Sequence, residues 1–433
     1  MPGTIRLELL CLLIGLLPYS AWAGEYDFEI PEIEKKPYEI GGSIEVDYTV
    51  SRLDKDSALY HQRFYNRDEG SAVEAYGLAL QLEGSYQKGV TKLFLKTNTN
   101  LTRDYLGCEE DTRLYEGLVS VKPTPSFTLE AGKKVMKWGK GYAWNPVAFT
   151  STPKDPEDPE QSLEGYTLIS ADLIKSLSGP AKTIAFTPVI FPVYEDINSE
   201  FGKTGHFNYA GKLYLLAFDT DVDIMFFTGE SIEDRVGLDF SKNIMPNFEV
   251  HGEAAGIDDF EKWYIDKEGV LHSRRFNAIS YLLGIRYLNK YDTTFIVEYY
   301  RNGKGFSKEE IGDYYQFIED GYNTYQATGA ESQLKKSLHF MKAYYSEKNF
   351  MKDYVYLKMI QKEPFDILYF SSSLGIIYNA ADGSYSLTPE LLYEPTSNLE
   401  LKFKLTFFHG DCHSEFGEKP YDYKALCLIK YYF

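Results

Sequence analysis

Cysteine is scarce in this chain of 433 residues, with four in all. Cys11 falls in an N-terminal leader, which leaves Cys108, Cys412 and Cys427, an odd number that cannot build a disulfide framework. A bond between Cys108 and Cys412, read as lying on two external loops, stays open at this point. Long apolar runs are missing as well. The longest, Leu7 to Leu17, is broken by Glu8 and covers about half of the ~20 residues that a helix needs to cross a bilayer. A helical membrane protein is thereby excluded. Basic residues are outnumbered, 45 Lys and Arg against 64 Asp and Glu for a net charge of -19, so no basic face is available for a nucleic acid. Catalytic signatures are absent too: there is no Gly-x-Ser-x-Gly elbow, no phosphate loop ending in Gly-Lys-Ser/Thr and no His-Glu-x-x-His helix. The chain is read as non-enzymatic. The segment His409-Gly410-Asp411-Cys412-His413-Ser414-Glu415 gathers metal-ligand residue types, but its spacing fits no structural zinc pattern, and neither a metal nor a cofactor is expected.

The N-terminus is informative. Arg6, the apolar run, Pro18 and Ala21-Trp22-Ala23 make a secretory signal peptide over residues 1–23, with cleavage before Gly24. Residues 24–42, rich in Glu, Lys and Pro, read as a periplasmic lead-in. From Ser43 to the end the chain repeats one unit, an alternating segment of about ten residues followed by a turn or polar loop. Residues 399–407 show it best, with Leu399, Leu401, Phe403, Leu405 and Phe407 on one face and Glu400, Lys402, Lys404 and Thr406 on the other. The 37 Tyr against 4 Trp suit the aromatic girdles of a membrane barrel. The expected fold is all-β, a transmembrane antiparallel up-and-down barrel over residues 43–433 with about 18 strands, 16 being the alternative. Counting backwards from a last strand at 421–433 puts the short links at one end and the long segments 51–74, 136–162, 256–275, 301–351 and 409–420 at the other. Helical character is expected inside 301–351, at Glu309–Glu319 and Glu331–Glu347.

In this register Arg235, Asp239, Glu249, His251, Glu253, Arg286, Glu298, Lys402 and Lys404 point inward. Charges of both signs inside a wide barrel imply water, because burying each of them dry costs several kcal/mol. Lys134 stands just before the 136–162 segment, which carries Lys137, Trp138, Gly139 and Lys140 at its start and Asn145-Pro146 further on. A turn at Trp138-Gly139 folding this loop inward would make a constriction; an aromatic belt residue beside a solvated loop is the alternative. In the last strand Tyr423, Ala425, Cys427, Ile429, Tyr431 and the terminal Phe433 share one face. This pattern resembles the signal by which outer-membrane barrels are recognised by the barrel-assembly machinery.

Trp138-Gly139, Asn145-Pro146, Asn302-Gly303-Lys304-Gly305-Phe306, Asp382-Gly383-Ser384 and Ser414-Glu415-Phe416-Gly417 occur in that order across most of the mature chain. In this it resembles a porin-like family of proteobacterial outer-membrane β-barrels of poorly defined function. The resemblance implies a bacterial outer-membrane location and contact with outer-membrane lipid. The mixed-charge inner face supports a passive or gated channel for small hydrophilic or amphipathic solutes. The alternative is a structural barrel that sheathes a periplasmic or export partner, such as an electron-transfer conduit.

Overall fold

The computed structural model describes residues 36–67, 69–345 and 348–433. The expected signal peptide and the lead-in up to residue 35 lie outside the described residues, and every strand belongs to the unit Pro37–Phe433.

Eighteen strands run in chain order: β1 (Tyr38–Leu53), β2 (Ala72–Lys88), β3 (Thr91–Asp104), β4 (Gly107–Thr124), β5 (Phe127–Lys134) and β6 (Tyr166–Ser176). They continue as β7 (Ala181–Val193), β8 (His206–Ala217), β9 (Thr220–Thr228), β10 (Arg235–Met245), β11 (Phe248–Ile265) and β12 (Leu271–Leu288). The last six are β13 (Thr293–Arg301), β14 (Asp353–Lys362), β15 (Phe370–Asn379), β16 (Tyr385–Thr396), β17 (Leu399–His409) and β18 (Tyr421–Tyr432). Each pairs antiparallel with its neighbours in sequence, and β1 also pairs with β18, Val46 opposite Ile429, so the sheet closes on itself. Closure leaves no edge of unpaired amides, the condition for a sheet to survive in hydrocarbon. At the closing seam Gly42 and Phe433 exchange backbone hydrogen bonds, both at 3.0 Å. A Cβ on Gly42 would stand 2.4 Å from the Gln81 carbonyl and 2.9 Å from the Phe433 ring, so only glycine fits there.

Alternation decides which side chains face out. Leu78, Leu80 and Leu82 on β2, Ile279 and Leu283 on β12, and Ile429 and Tyr431 on β18 are all exposed on the outer surface. A continuous apolar band of this kind far exceeds the few hundred Å² that soluble monomers expose and calls for an apolar surrounding.

The connections divide by length as expected, but two boundaries differ. β3 and β4 are joined by residues 105–106 alone, so Cys108 sits on β4 rather than on a loop, and Cys108, Cys412 and Cys427 are free thiols. β11 and β12 stay paired as far as Ile265 and Leu271, which shrinks the expected loop 256–275 to 266–270. A register shift between Ile257 and Phe260, with Asp259 at φ 46°, interrupts the alternation that marks a strand in the sequence. β1 likewise begins inside the expected lead-in, at Tyr38.

Three helices occupy the long-loop end. α1 (Ala58–Phe64) lies in the β1–β2 connection; α2 (Lys308–Thr328) and α3 (Ser332–Tyr344) lie between β13 and β14. α2 starts with a reciprocal capping box between Ser307 and Glu310 and stops at Gly329, whose φ of 76° suits glycine. Tyr314, Tyr315, Phe317 and Phe340 of these helices pack with Tyr300, Tyr354 and Tyr356 of the inner wall into one apolar cluster, a cap docked against the inside of the barrel.

Candidate functional site

The segment 135–165 between β5 and β6 turns into the lumen, and two wall carboxylates hold it there. Glu253 on β11 accepts the backbone N–H groups of Lys140 (2.5 Å) and Gly141 (2.6 Å), the Asn145 side-chain amide (2.9 Å) and, more loosely, the Val147 N–H (3.4 Å). Glu298 on β13 accepts the N–H groups of Tyr142 (2.5 Å) and Ala143 (2.9 Å), and His251 Nε2 lies 2.9 Å from it. Both glutamates are buried, at 3% and 0% exposure. A buried carboxylate is tolerated only when its lone pairs are filled, and the loop's amide hydrogens, with the His251 ring at Glu298, fill these.

The loop's own ammoniums complete the lock. Lys140 Nζ lies 2.9 Å from Asp223 on β9 and 3.8 Å from Asp239 on β10, two cross-strand neighbours that are themselves buried. Burial works against its charge, but the bond to Asp223 and the field of Asp239 outweigh burial and hold this ammonium above its usual range. Lys154 Nζ donates to the carbonyls of Gly141 (2.8 Å) and Tyr142 (3.4 Å). Burial pushes this second ammonium below its usual range, partly offset by Glu253 and Glu298.

Apolar packing fixes the rest. Met136, Trp138, Val147 and Phe149 pack onto the inward residues Leu168, Val189, Phe191, Met225 and Phe227 of β6, β7 and β9. Trp138 is 4% exposed inside the lumen, which sets aside a place for it in an aromatic belt. Gly139, at φ 97°, makes the turn; a Cβ there would meet the Asn145 amide at 2.6 Å and Glu253 Oε1 at 2.8 Å. Pro146 follows Asn145 in the same half-buried bend. Further along, Pro156 and Glu157 reach the inner faces of β14, β15 and β16, and Lys404 on β17 donates to the Glu157 carbonyl at 2.6 Å. The loop therefore runs as a chord from β5 and β6, along β9–β13, to β17.

Six inward residues of β8–β13 are dry under this chord, Asn208, Asp223, Asp239, His251, Leu282 and Glu298 being at most 1% exposed, while Arg235 and Glu249 are half-buried and Arg286 is exposed. Much of the inner face of β1–β3, β17 and β18 is not dry, while Tyr354, Tyr356 and Ile377 of β14 and β15 are buried in the cap cluster. Glu45 and Asp47 on β1, Gln81 on β2, Asn98 and Asn100 on β3, Lys402 on β17 and Lys424 and Lys430 on β18 stay half-exposed along the inner face. The acidic run Asp155, Glu157, Asp158 and Glu160 of the chord lies toward this open side, where Lys402 feels the field of Asp158, Glu390 and Glu400.

All eight charged residues read as pore-lining face inward, but they do different work. Asp239, Glu253 and Glu298 anchor the loop. Glu249, beside His251 Nδ1 at 3.4 Å and the Tyr142 hydroxyl at 3.4 Å, and Arg286, over the Tyr142 ring at 5.9 Å, steady it. Arg235 pairs with Glu233 at 3.6 Å. Lys402 and Lys404 remain on the wetter side. Of the expected constriction lysines, Lys134 pairs with Glu130 on its own strand, Lys137 is exposed, and Lys140 is drawn into the wall. Sequence reasoning misses Asp223, although two acids at alternate positions of β9 (Asp221, Asp223) against Val222 and Ile224 are the available signal.

No family model matches the chain, and no curated protein is similar to it in sequence. Solved structures are similar in fold. Wzi, an outer membrane protein involved in group 1 capsule assembly in Escherichia coli and a carbohydrate-binding β-barrel, aligns at 11% identity over 90% of this chain and 83% of its own, with a TM-score of 0.53. OprD of Pseudomonas aeruginosa aligns at 9% identity over 92% of this chain and 95% of its own, with a TM-score of 0.50. This chain has an outer-membrane porin fold. Within that shared barrel the chord, the cap helices and the half-exposed strip of wall are the parts that bear on function.

Proposed function

We propose that the protein is a bacterial outer-membrane channel for small hydrophilic or amphipathic solutes. The observation that carries this is the polar strip of inner wall on β1–β3, β17 and β18, left half-exposed beside the chord, with lysines and carboxylates on the wall and an acidic run on the loop. Charges of both signs along a polar inner face create a local field that orients dipolar solutes and sorts ions. The exposed apolar outer face supports a place in lipid, and Tyr431 and Phe433 on the last strand supply the outward aromatic pattern read by an assembly machinery. A sheath around a periplasmic partner is disfavoured, because the lumen already holds the chain's own loop and cap.

The test is electrical. Purified protein in a planar bilayer is expected to conduct, and Lys402→Glu with Lys404→Glu to move its reversal potential toward cation selectivity. A closed trace that persists after deletion of residues 305–348 would sink the channel reading.

A further inference from the structure

One cluster at the long-loop end plays no part in the channel. His413 and Glu418 come from the β17–β18 loop and Glu319 from α2, and one ligand atom from each lies within 4.8 Å of the other two. His413 Nε2 stands 3.2 Å from Glu319 Oε2. Two ligands that share a tetrahedral zinc ion at ~2.0–2.1 Å are about 3.3 Å apart, so this spacing is that of neighbouring ligands. The Glu319 side chain makes no other hydrogen bond among the described residues, and His413 is its one ion-pair partner there. Glu418 is buried at 3%, with one oxygen accepting the Ala58 N–H of α1 (2.5 Å) and the other the His413 N–H (2.6 Å). Each oxygen keeps a second lone pair.

The charge does not balance. Two carboxylates oppose each other across one imidazole, and among the described residues no lysine or arginine pairs with either. A second imidazole is close by: His61 of α1 lies in the field of Glu319, and its Nδ1 is buried without a hydrogen-bond partner.

We propose that Glu319, His413 and Glu418 bind a divalent transition-metal ion of the zinc type, which ties α2 and the β17–β18 loop together and, through Glu418, reaches α1. One nitrogen and two carboxylates suit zinc better than calcium or magnesium, which take oxygen ligands. The local pattern around His409–Glu415 matches no metal motif because the third ligand comes from another element. The ligands close the cap rather than the pore, so the site stands independently of the channel reading.

The experiment uses the full chain folded in detergent, without a histidine tag, in a Cys412→Ser background so that the adjacent thiol cannot substitute. After metal stripping, incubation with zinc chloride and desalting, one zinc ion per chain is expected by elemental analysis. Glu319→Gln with His413→Asn is expected to retain none, and His413→Cys to retain it, since a thiolate replaces the imidazole as ligand. Unchanged mobility in unheated gels shows that each variant is folded. Zinc absent from the parent, or retained equally by the double variant, overturns the proposal.

Discussion

At Glu253 and Glu298 two acids inside a protein are satisfied by amide hydrogens of a loop, so the loop's conformation is part of what lets them be buried. Glu253→Ala is expected to free the chord at a cost of about 3 kcal/mol, in line with hydrogen bonds to charged groups. Cleavage by added protease between residues 137 and 147 should rise, and single-channel conductance with it; unchanged resistance to protease would mean that packing alone holds the loop. Alternation places these acids on the inner wall in the sequence, but their task is not legible there, since it is set by which backbone amides arrive. Glu415 makes a second residue-scale case. It is fully buried in the β17–β18 loop, its Oε2 accepting the Tyr354 hydroxyl (2.7 Å) and the Asn379 amide (2.8 Å) while Oε1 has no partner. Burial pushes this carboxyl up from 4.5 to about 7, with Lys419 opposing. A raised acid favours the folded state while protonated, so its contribution is present below about pH 4.5 and falls away as pH rises through about 7. Cap docking is expected to weaken by about 3 kcal/mol between pH 5 and 8. Hydrogen exchange of the cap helices against pH reads this out, and Glu415→Gln should flatten the profile.

Among elements, the chord and the cap share one apolar cluster on the wall, where Trp144 of the chord stacks on Tyr300 at 5.2 Å between centroids and approaches Tyr354 at 5.7 Å. Both elements pack into the cluster built on the same wall tyrosines. Trp144→Ala is expected to cost about 3–5 kcal/mol and to loosen the loop and the helices together; protease cuts in only one of them would show that they dock separately. Gly139→Val should act more locally, since it combines a disfavoured φ of 97° with collisions against Asn145 and Glu253. Its signature is a displaced chord with cap protection intact. The helices in 301–351 are legible from their periodicity, and the inward turn of 136–162 is one of two readings of Trp138-Gly139. The docking partners are not legible. Contacts between β9, β13 and a loop rooted at β5 depend on barrel curvature, which a one-dimensional pattern does not carry.

For the whole molecule, closure of β1 on β18 is the step that completes the barrel, and Gly42 is where the two ends pass closest. Gly42→Val is expected to block closure, so that the unheated protein loses the fast gel mobility of a folded barrel. The strand count is readable because lipid on one side and polar groups on the other impose a strict period of two. The pattern misleads where Asp259 bends β11 out of step, at the unexpectedly tight 105–106 link and at the start of β1. The off-centre chord has a last consequence, for how this protein tolerates change. Inward positions fall into two angular sectors that obey opposite rules. Around β6–β13 a substitution meets the constraints of a soluble protein's interior, where volume and buried polarity are fixed. Around β1–β3 and β18 the same kind of position behaves as surface and can drift in size and charge. Variation among descendants of this gene should therefore follow compass direction about the barrel axis more closely than depth in the membrane.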